Sequence, residues 1–469
     1  MKSMLGIILY ALIFAVALVA GCSENPEGPP QAGPPPSVIS LVVQPNEHNV
    51  LSAKVIVRTA NAASVSIEYW NDSLATSETA SVAVVDSVAE VPVLGLRPDQ
   101  TYQLRAKAWA ASGETATGDQ TFFATDPLPD NLPDFTLIGS QSPTPGYVMI
   151  GVSGAGAGQW NAAVILDNLG HIVWYKEFLG AVIDFQQQFP GTYTVFSNID
   201  SDLAFYELDR LGNVLGQYST LQGEETGAHE LRLYGGAHCL YGAEYRDSSL
   251  TAIGGQANAI VRGMTIEYIR NGQPNFFWNT FDHLQITDAV SDISITGVNV
   301  NPWHSNAIDV DNDGNLLVSF RNMDEITKIS VQTGEIIWRL GGENNQFTFV
   351  NDPLNGFSHQ HGIRRLPNGN IILFDNGNLH SPPVSRAVEY RLNESTMVAE
   401  MVWEYRHSPS LFGNIMGFAQ RLENDNTVVC FGSAQRVVEV NSAGVVQWEV
   451  AVDNPGYNLY RAFRIESLY

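Results

Sequence analysis

Residues 307–342, AIDVDNDGNLLVSFRNMDEITKISVQTGEIIWRLGG, decide the fold. They read as two hairpins in succession. Apolar residues alternate up to a DNDG turn and resume after it; a second strand pair then brackets QTG and ends at Trp338. Period-two alternation marks strands with one buried face, and Asp/Asn-Gly pairs between such runs mark tight turns. The second hairpin recurs as VILDNLGHIVWYKEF, FYELDRLGNVLGQYS, TIEYIRNGQPNFFWNTF, EYRLNESTMVAEMVWEY and VEVNSAGVVQWEVAV. Five of the six copies end near a Trp (Trp174, Trp278, Trp338, Trp403, Trp448), and the second copy carries Gln217 or Tyr218 there. Every copy but the first follows another Gly- or Asn-centred hairpin, as GIRRLPNGNIILFDNG precedes the fifth. Four strands repeated six times over 135–469 predict a six-bladed β-propeller. The first copy lacks an inner strand, and the chain end LYRAFRIESLY aligns with GFAQRLEND and HGIRRLPNG. The C-terminal strand is therefore expected to close the first blade and protect its edge.

The rest of the chain is consistent with an all-β protein. Its 469 residues exceed one ordinary core, and 41 Gly and 23 Pro accompany no long 3.6-period apolar stripe. Residues 38–126 read as short alternating strands of a β-sandwich, and LRPDQTYQLRAKAWAASGE resembles the fibronectin type III pattern. DPLPDNLPD, 126–134, forms the boundary. Residues 22–37 are a Pro-rich linker, and 1–21 have one Lys, an apolar run and small residues before Cys22, as in a lipoprotein signal peptide. Val19-Ala20-Gly21-Cys22 resembles a lipobox, which predicts lipidation at Cys22, a membrane anchor and a cell-envelope location; the alternative is an uncleaved signal anchor. Cys239 and Cys430 fall in different blades and are expected to be buried thiols. A net charge of −25 argues against nucleic acid as a partner.

Aligning the inner hairpins brings three histidines to one place. His229, His304 and His361 each start an inner strand, so all three are predicted at one mouth of the central channel. The DNDG turn, centred between residues 312 and 313, places Arg321 opposite His304. Period two puts Asn306 on the face of His304, and the PNG turn brings Asn376 near His361. Three chemistries compete for such a cluster. It could be a hydrogen-bonded structural network. Three imidazoles could bind Zn²⁺, although a guanidinium beside a dication is repulsive and no carboxylate offsets it. Or Arg321 and Asn306 could hold an oxyanion while a His acts as nucleophile or proton donor, the reading we favour.

At WHSNAIDVDNDGNLLVSFRN, WRLGG, FSHQHGIRRLPNGNIILFDNG and GAHELRLYGG the chain resembles the bacterial arylsulfotransferase family. The resemblance spans 135–469 and implies an aryl-sulfate sulfotransferase that moves a sulfuryl group from a phenolic sulfate donor to a phenolic acceptor. It implies a sulfohistidine at His361, with His304, Asn306 and Arg321 on the sulfuryl oxygens and His229 at the leaving oxygen. Neither a metal nor a cofactor is implied, and no GxxxxGK[ST] phosphate loop is present. The chain departs from the family pattern at Ser358-His359, before the Gln-His pair. A non-catalytic surface propeller binding a glycan or protein is the alternative from another class; a cofactor-dependent dehydrogenase propeller is a third.

Overall fold

The computed structural model describes residues 33–130, 132–154, 159–199, 202–453 and 456–469. The leader, the lipobox with Cys22 and most of the linker lie outside them. The described chain is almost entirely antiparallel β-sheet.

Near the N-terminus, a sheet of Ser37–Pro45, Ala53–Ala60 and Val88–Val93 faces a second built around Ser64–Trp70 and Thr101–Trp109. Alternation in AKVIVRTA and TYQLRAKAW buries every second residue. Val55, Val57 and Val91 thereby meet Val65, Ile67 and Leu104 in one core.

Six further sheets follow, each with at least four strands. Their innermost strands are Ile183–Gln186, Glu225–Tyr234, Ser305–Val310, His361–Arg365, Phe418–Arg421 and Tyr457–Ile465, and they touch in cyclic order. The chain end closes the ring: Tyr457–Ile465 pairs with Tyr147–Gly154 and supplies the inner strand that the first sheet lacks. Phe135–Ser140 adds a fifth, outermost strand to the last sheet. The N-terminal sheets dock on the ring through Leu51 and Leu94, which join its core. The Tyr469 hydroxyl accepts from the Leu94 amide (2.9 Å), and Arg97 pairs with Asp167. Cys239 and Cys430 are buried free thiols in different sheets.

The recurring tryptophans are clasps between sheets. Each indole N–H of Trp174, Trp278, Trp403 and Trp448 donates to a carbonyl in an outer turn of another sheet: Arg210, Gly334, Ser442 and Asn168 respectively, at 2.8–3.0 Å. In the first, fourth, fifth and sixth sheets the Trp directly follows the bulged residue of the outer ladder. The same register in the second sheet is held by Gly216, opposite Glu207, rather than by Gln217 or Tyr218. Trp338 Nε1 is buried without a partner.

Trp448 is fully buried. Trp448→Phe keeps most of the packing but strands the Asn168 carbonyl, and should cost about 1 kcal/mol. Trp448→Ala should cost about 3–5 kcal/mol. Urea midpoints of the two variants check the ordering; equal losses would deny the clasp its packing role.

Candidate active site

The ring brings His229, His304, His361, Arg321 and Asn376 together, although His229 does not start its strand as expected but lies within Glu225–Tyr234, in the irregular stretch between Thr226 and Leu231. His361 opens the fifth inner strand, followed by Gly362 at φ 69°, where a Cβ would lie 2.5 Å from the Phe418 ring. Its Nδ1 lies 2.7 Å from Asn376 Oδ1 and 3.1 Å from the His359 carbonyl. The Asn376 amide is fixed because its Nδ2 donates to the Gly413 and Met416 carbonyls. Two acceptors at Nδ1 require the proton there, so Nε2 carries the free lone pair.

His304 has the opposite tautomer. Asn301 Nδ2 donates to His304 Nδ1 (3.1 Å), while Asn301 Oδ1 accepts the His304 amide and fixes the orientation. Nε2 of His304 therefore bears the proton and is a donor. One imidazole thus presents a ring-nitrogen lone pair and its neighbour a ring N–H. His229 stands edge-on to His304, ring centroids 4.8 Å apart, with its Nδ1 buried and unpartnered.

Arg321 is opposite His304 as expected, by a different route. The turn centres on Asp313, one half-step from the expected position, since Val310 pairs with Leu316. A bulge at Asn306 then restores the register, and the Arg321 amide donates to the His304 carbonyl (3.0 Å). Arg321 Nη1 donates to Asn322 Oδ1 (2.8 Å).

Period two does not govern Asn306, because it is the extra residue of the bulge and His304 has φ 43°. One Asn306 amide N–H donates to the Gln360 carbonyl (2.7 Å), and its Oδ1 is buried unpartnered. Asn306 thus supports the backbone just before His361.

Burial pushes all three imidazoles below the ordinary histidine range: His229 falls to about 3, and His304 and His361 lie well below the usual value, both further lowered by Arg321. All are neutral at pH 7. Among the described residues no cluster of three or more metal-ligand side chains is arranged to hold a metal.

One residue escaped the sequence reading. His359 is 1% exposed at φ 52°, and neither ring nitrogen has a hydrogen-bond partner. Its Nε2 lies 3.4 Å from Asp292 Oδ2, and its amide donates to Asp324 Oδ1 (2.6 Å). Burial raises the Asp324 carboxyl to about 7. The SHQH run was a visible signal for His359; nothing local ties it to Asp292, 67 residues upstream by number.

The low pKa of His361 has a consequence for stability. The unfolded ring, near 6.5, takes up a proton before the folded one as pH falls. Stability from the neutral ring is therefore full above about pH 6.5 and drains below it. Between pH 7.5 and 5 the urea midpoint difference between wild type and His361→Asn should shift in favour of the variant. A constant difference would mean the ring titrates normally.

The Arylsulfotransferase (ASST) family matches residues 147–456. No curated protein matches the chain. Among solved structures, a protein of unknown function from Bacteroides caccae is 15% identical at a TM-score of 0.43, covering 69% of this chain and 100% of that one. A virginiamycin B lyase from Staphylococcus aureus is 12% identical at a TM-score of 0.28, covering 69% and 76%. Likenesses this slight carry no argument about activity. The family match takes in five of the six inner strands whole, stops just before the sixth, Tyr457–Ile465, and includes every histidine of the cluster, and on it the chain belongs to the arylsulfotransferase (ASST) family.

Proposed function

We propose that this sulfotransferase moves a sulfuryl group from a phenolic sulfate ester to a phenolic acceptor through a sulfohistidine at His361, without a nucleotide donor. The ring is read as a six-bladed propeller preceded by a fibronectin type III-like sandwich. The observation that carries the reaction is the pair of opposite tautomers: His361 presents a lone pair where His304 presents a proton.

His361 Nε2 attacks sulfur, the S–O bond to the aryl oxygen breaks, and the phenolate departs. The acceptor oxygen then attacks sulfur, the S–N bond breaks, and its electron pair returns to His361. Sulfuryl transfer is loose and in-line, with charge on the equatorial oxygens, so donors aimed at those oxygens contribute most. His304 Nε2–H and the Arg321 guanidinium fill that role, together with the second Asn306 N–H. His229 lies beside His304 as a neutral group for the leaving oxygen. A neutral nucleophile near a cation can attack an anionic ester without charge repulsion.

With an aryl sulfate and no acceptor, the wild-type protein should release a burst near one phenol per enzyme. The peptide containing His361 should gain about 80 Da, the mass of the sulfuryl group, as expected of a covalent intermediate. His361→Asn should abolish both; a full burst from that variant would place the nucleophile elsewhere. Arg321→Lys should lower turnover on the order of 10²-fold, since a point charge cannot replace the guanidinium fork. Anchoring through lipidated Cys22 is part of the proposal. Cys22→Ser should abolish partitioning into detergent, and unchanged partitioning would favour a signal anchor.

A further inference from the structure

Transfer to a phenol releases a proton, and the three expected histidines are poorly placed to take it. None of His229, His304 and His361 forms an ion pair with a carboxylate among the described residues, and burial opposes charging each of them. An imidazolium in such a setting needs a counter-ion. His359 is the imidazole that has one. Burial and Arg321 hold the ring down to about 4, but its Nε2 faces Asp292 at 3.4 Å, and Asp292 and Asp375 both favour its charged form. Its Nδ1 is buried and unpartnered.

The placement is built at a cost. His359 holds a left-handed φ of 52°, a conformation that strains a residue with a Cβ. The Asp324 carboxylate accepting its amide holds the backbone there, and its carbonyl accepts from His361 Nδ1. Asp292 sits on the 285–298 segment between the third and fourth sheets. That segment is tied down by Val290 N donating to the Asn322 carbonyl and by Asp288 pairing with Arg339.

We infer that His359 and Asp292 form a proton-accepting pair for the acceptor hydroxyl, an inference that rests on the sulfuryl-transfer reading of the site. As the acceptor oxygen bonds to sulfur and the S–N bond to His361 breaks, the O–H proton passes to His359 Nδ1. Asp292 holds the Nε2–H of the resulting imidazolium. The proton leaves to solvent past Asp292, whose side chain is 41% exposed.

The test uses a nitrophenyl sulfate donor and a series of phenol acceptors of increasing acidity. Asp292→Asn, on an exposed side chain, and His359→Gln should both keep the burst amplitude. Transfer to weakly acidic phenols should fall on the order of 10²-fold, the usual contribution of a positioned base, whereas phenols already ionised at the assay pH should lose less than about threefold. An equal loss across the series, or no loss in either variant, with a normal wild-type burst, overturns the inference and leaves sulfuryl transfer standing. A wild type without a burst overturns the transfer reading and the inference with it.

Discussion

Everything at the site depends on the closure of the ring by its last strand. Tyr457–Ile465 supplies a missing edge to the first sheet, and in doing so carries Tyr460 and Arg461 to the axis. The Tyr460 hydroxyl donates to the His229 carbonyl (2.9 Å), and Arg461 Nη2 donates to the Asn306 carbonyl (2.8 Å). Arg461, 2% exposed, also pairs with Asp184 and Glu230, which Arg364 reaches at 2.9 Å from the fifth sheet. One strand from the chain end thus bonds residues of the second, third and fourth sheets. Removing one partner from a buried ion pair strands the other, at about 3–5 kcal/mol. Closure therefore fixes the positions of His229 and the Asn306 bulge at once.

Below the histidines the axis is densely ionic; at them the rings are neutral, with Arg321 and Arg262 as nearby cations and Asp292 facing His359. This division suits the chemistry. The charged groups beneath find their partners in one another, as in Arg232–Asp309 and Arg365–Asp311, and one of them, Arg461, disfavours protonation of His229 and His361. Arg321 has no ion-pair partner within 4 Å among the described residues, and it depresses His304, His359 and His361 alike. An unpaired cation amid neutral rings keeps those rings unprotonated, which supports the proposed role of His361 as nucleophile.

Much of this was legible in the sequence because repeats convert distance along the chain into position around a ring. The strand repeat foretold the sheets, the return of the chain end to the first of them, and the meeting of His229, His304 and His361. Asn376 was legible beside His361 because a tight turn fixes which residues face each other. Two things were not. Bulges are invisible to period-two counting: the one at Asn306 turned that residue toward Gln360, and it also corrected a half-step error in the turn centre, so that Arg321 met His304. The 285–298 segment has no counterpart in the repeat, so nothing in the pattern could assign Asp292 to His359.

Three residues of irregular backbone stand at the histidine cluster. His304, Asp324 and His359 all have left-handed φ, at 43°, 51° and 52°, and none is a glycine. Strain of this kind costs on the order of 1–3 kcal/mol per residue and persists only where surrounding bonds over-determine it. Here they do: Asn301 holds both the amide and the ring of His304, and Asp324 holds the amide of His359. Regular strands would alternate these side chains to opposite faces of their sheets. Breaking the alternation at the rim lets consecutive segments present their imidazoles inward around Arg321, while the regular sheets and their tryptophan clasps keep the rim from relaxing.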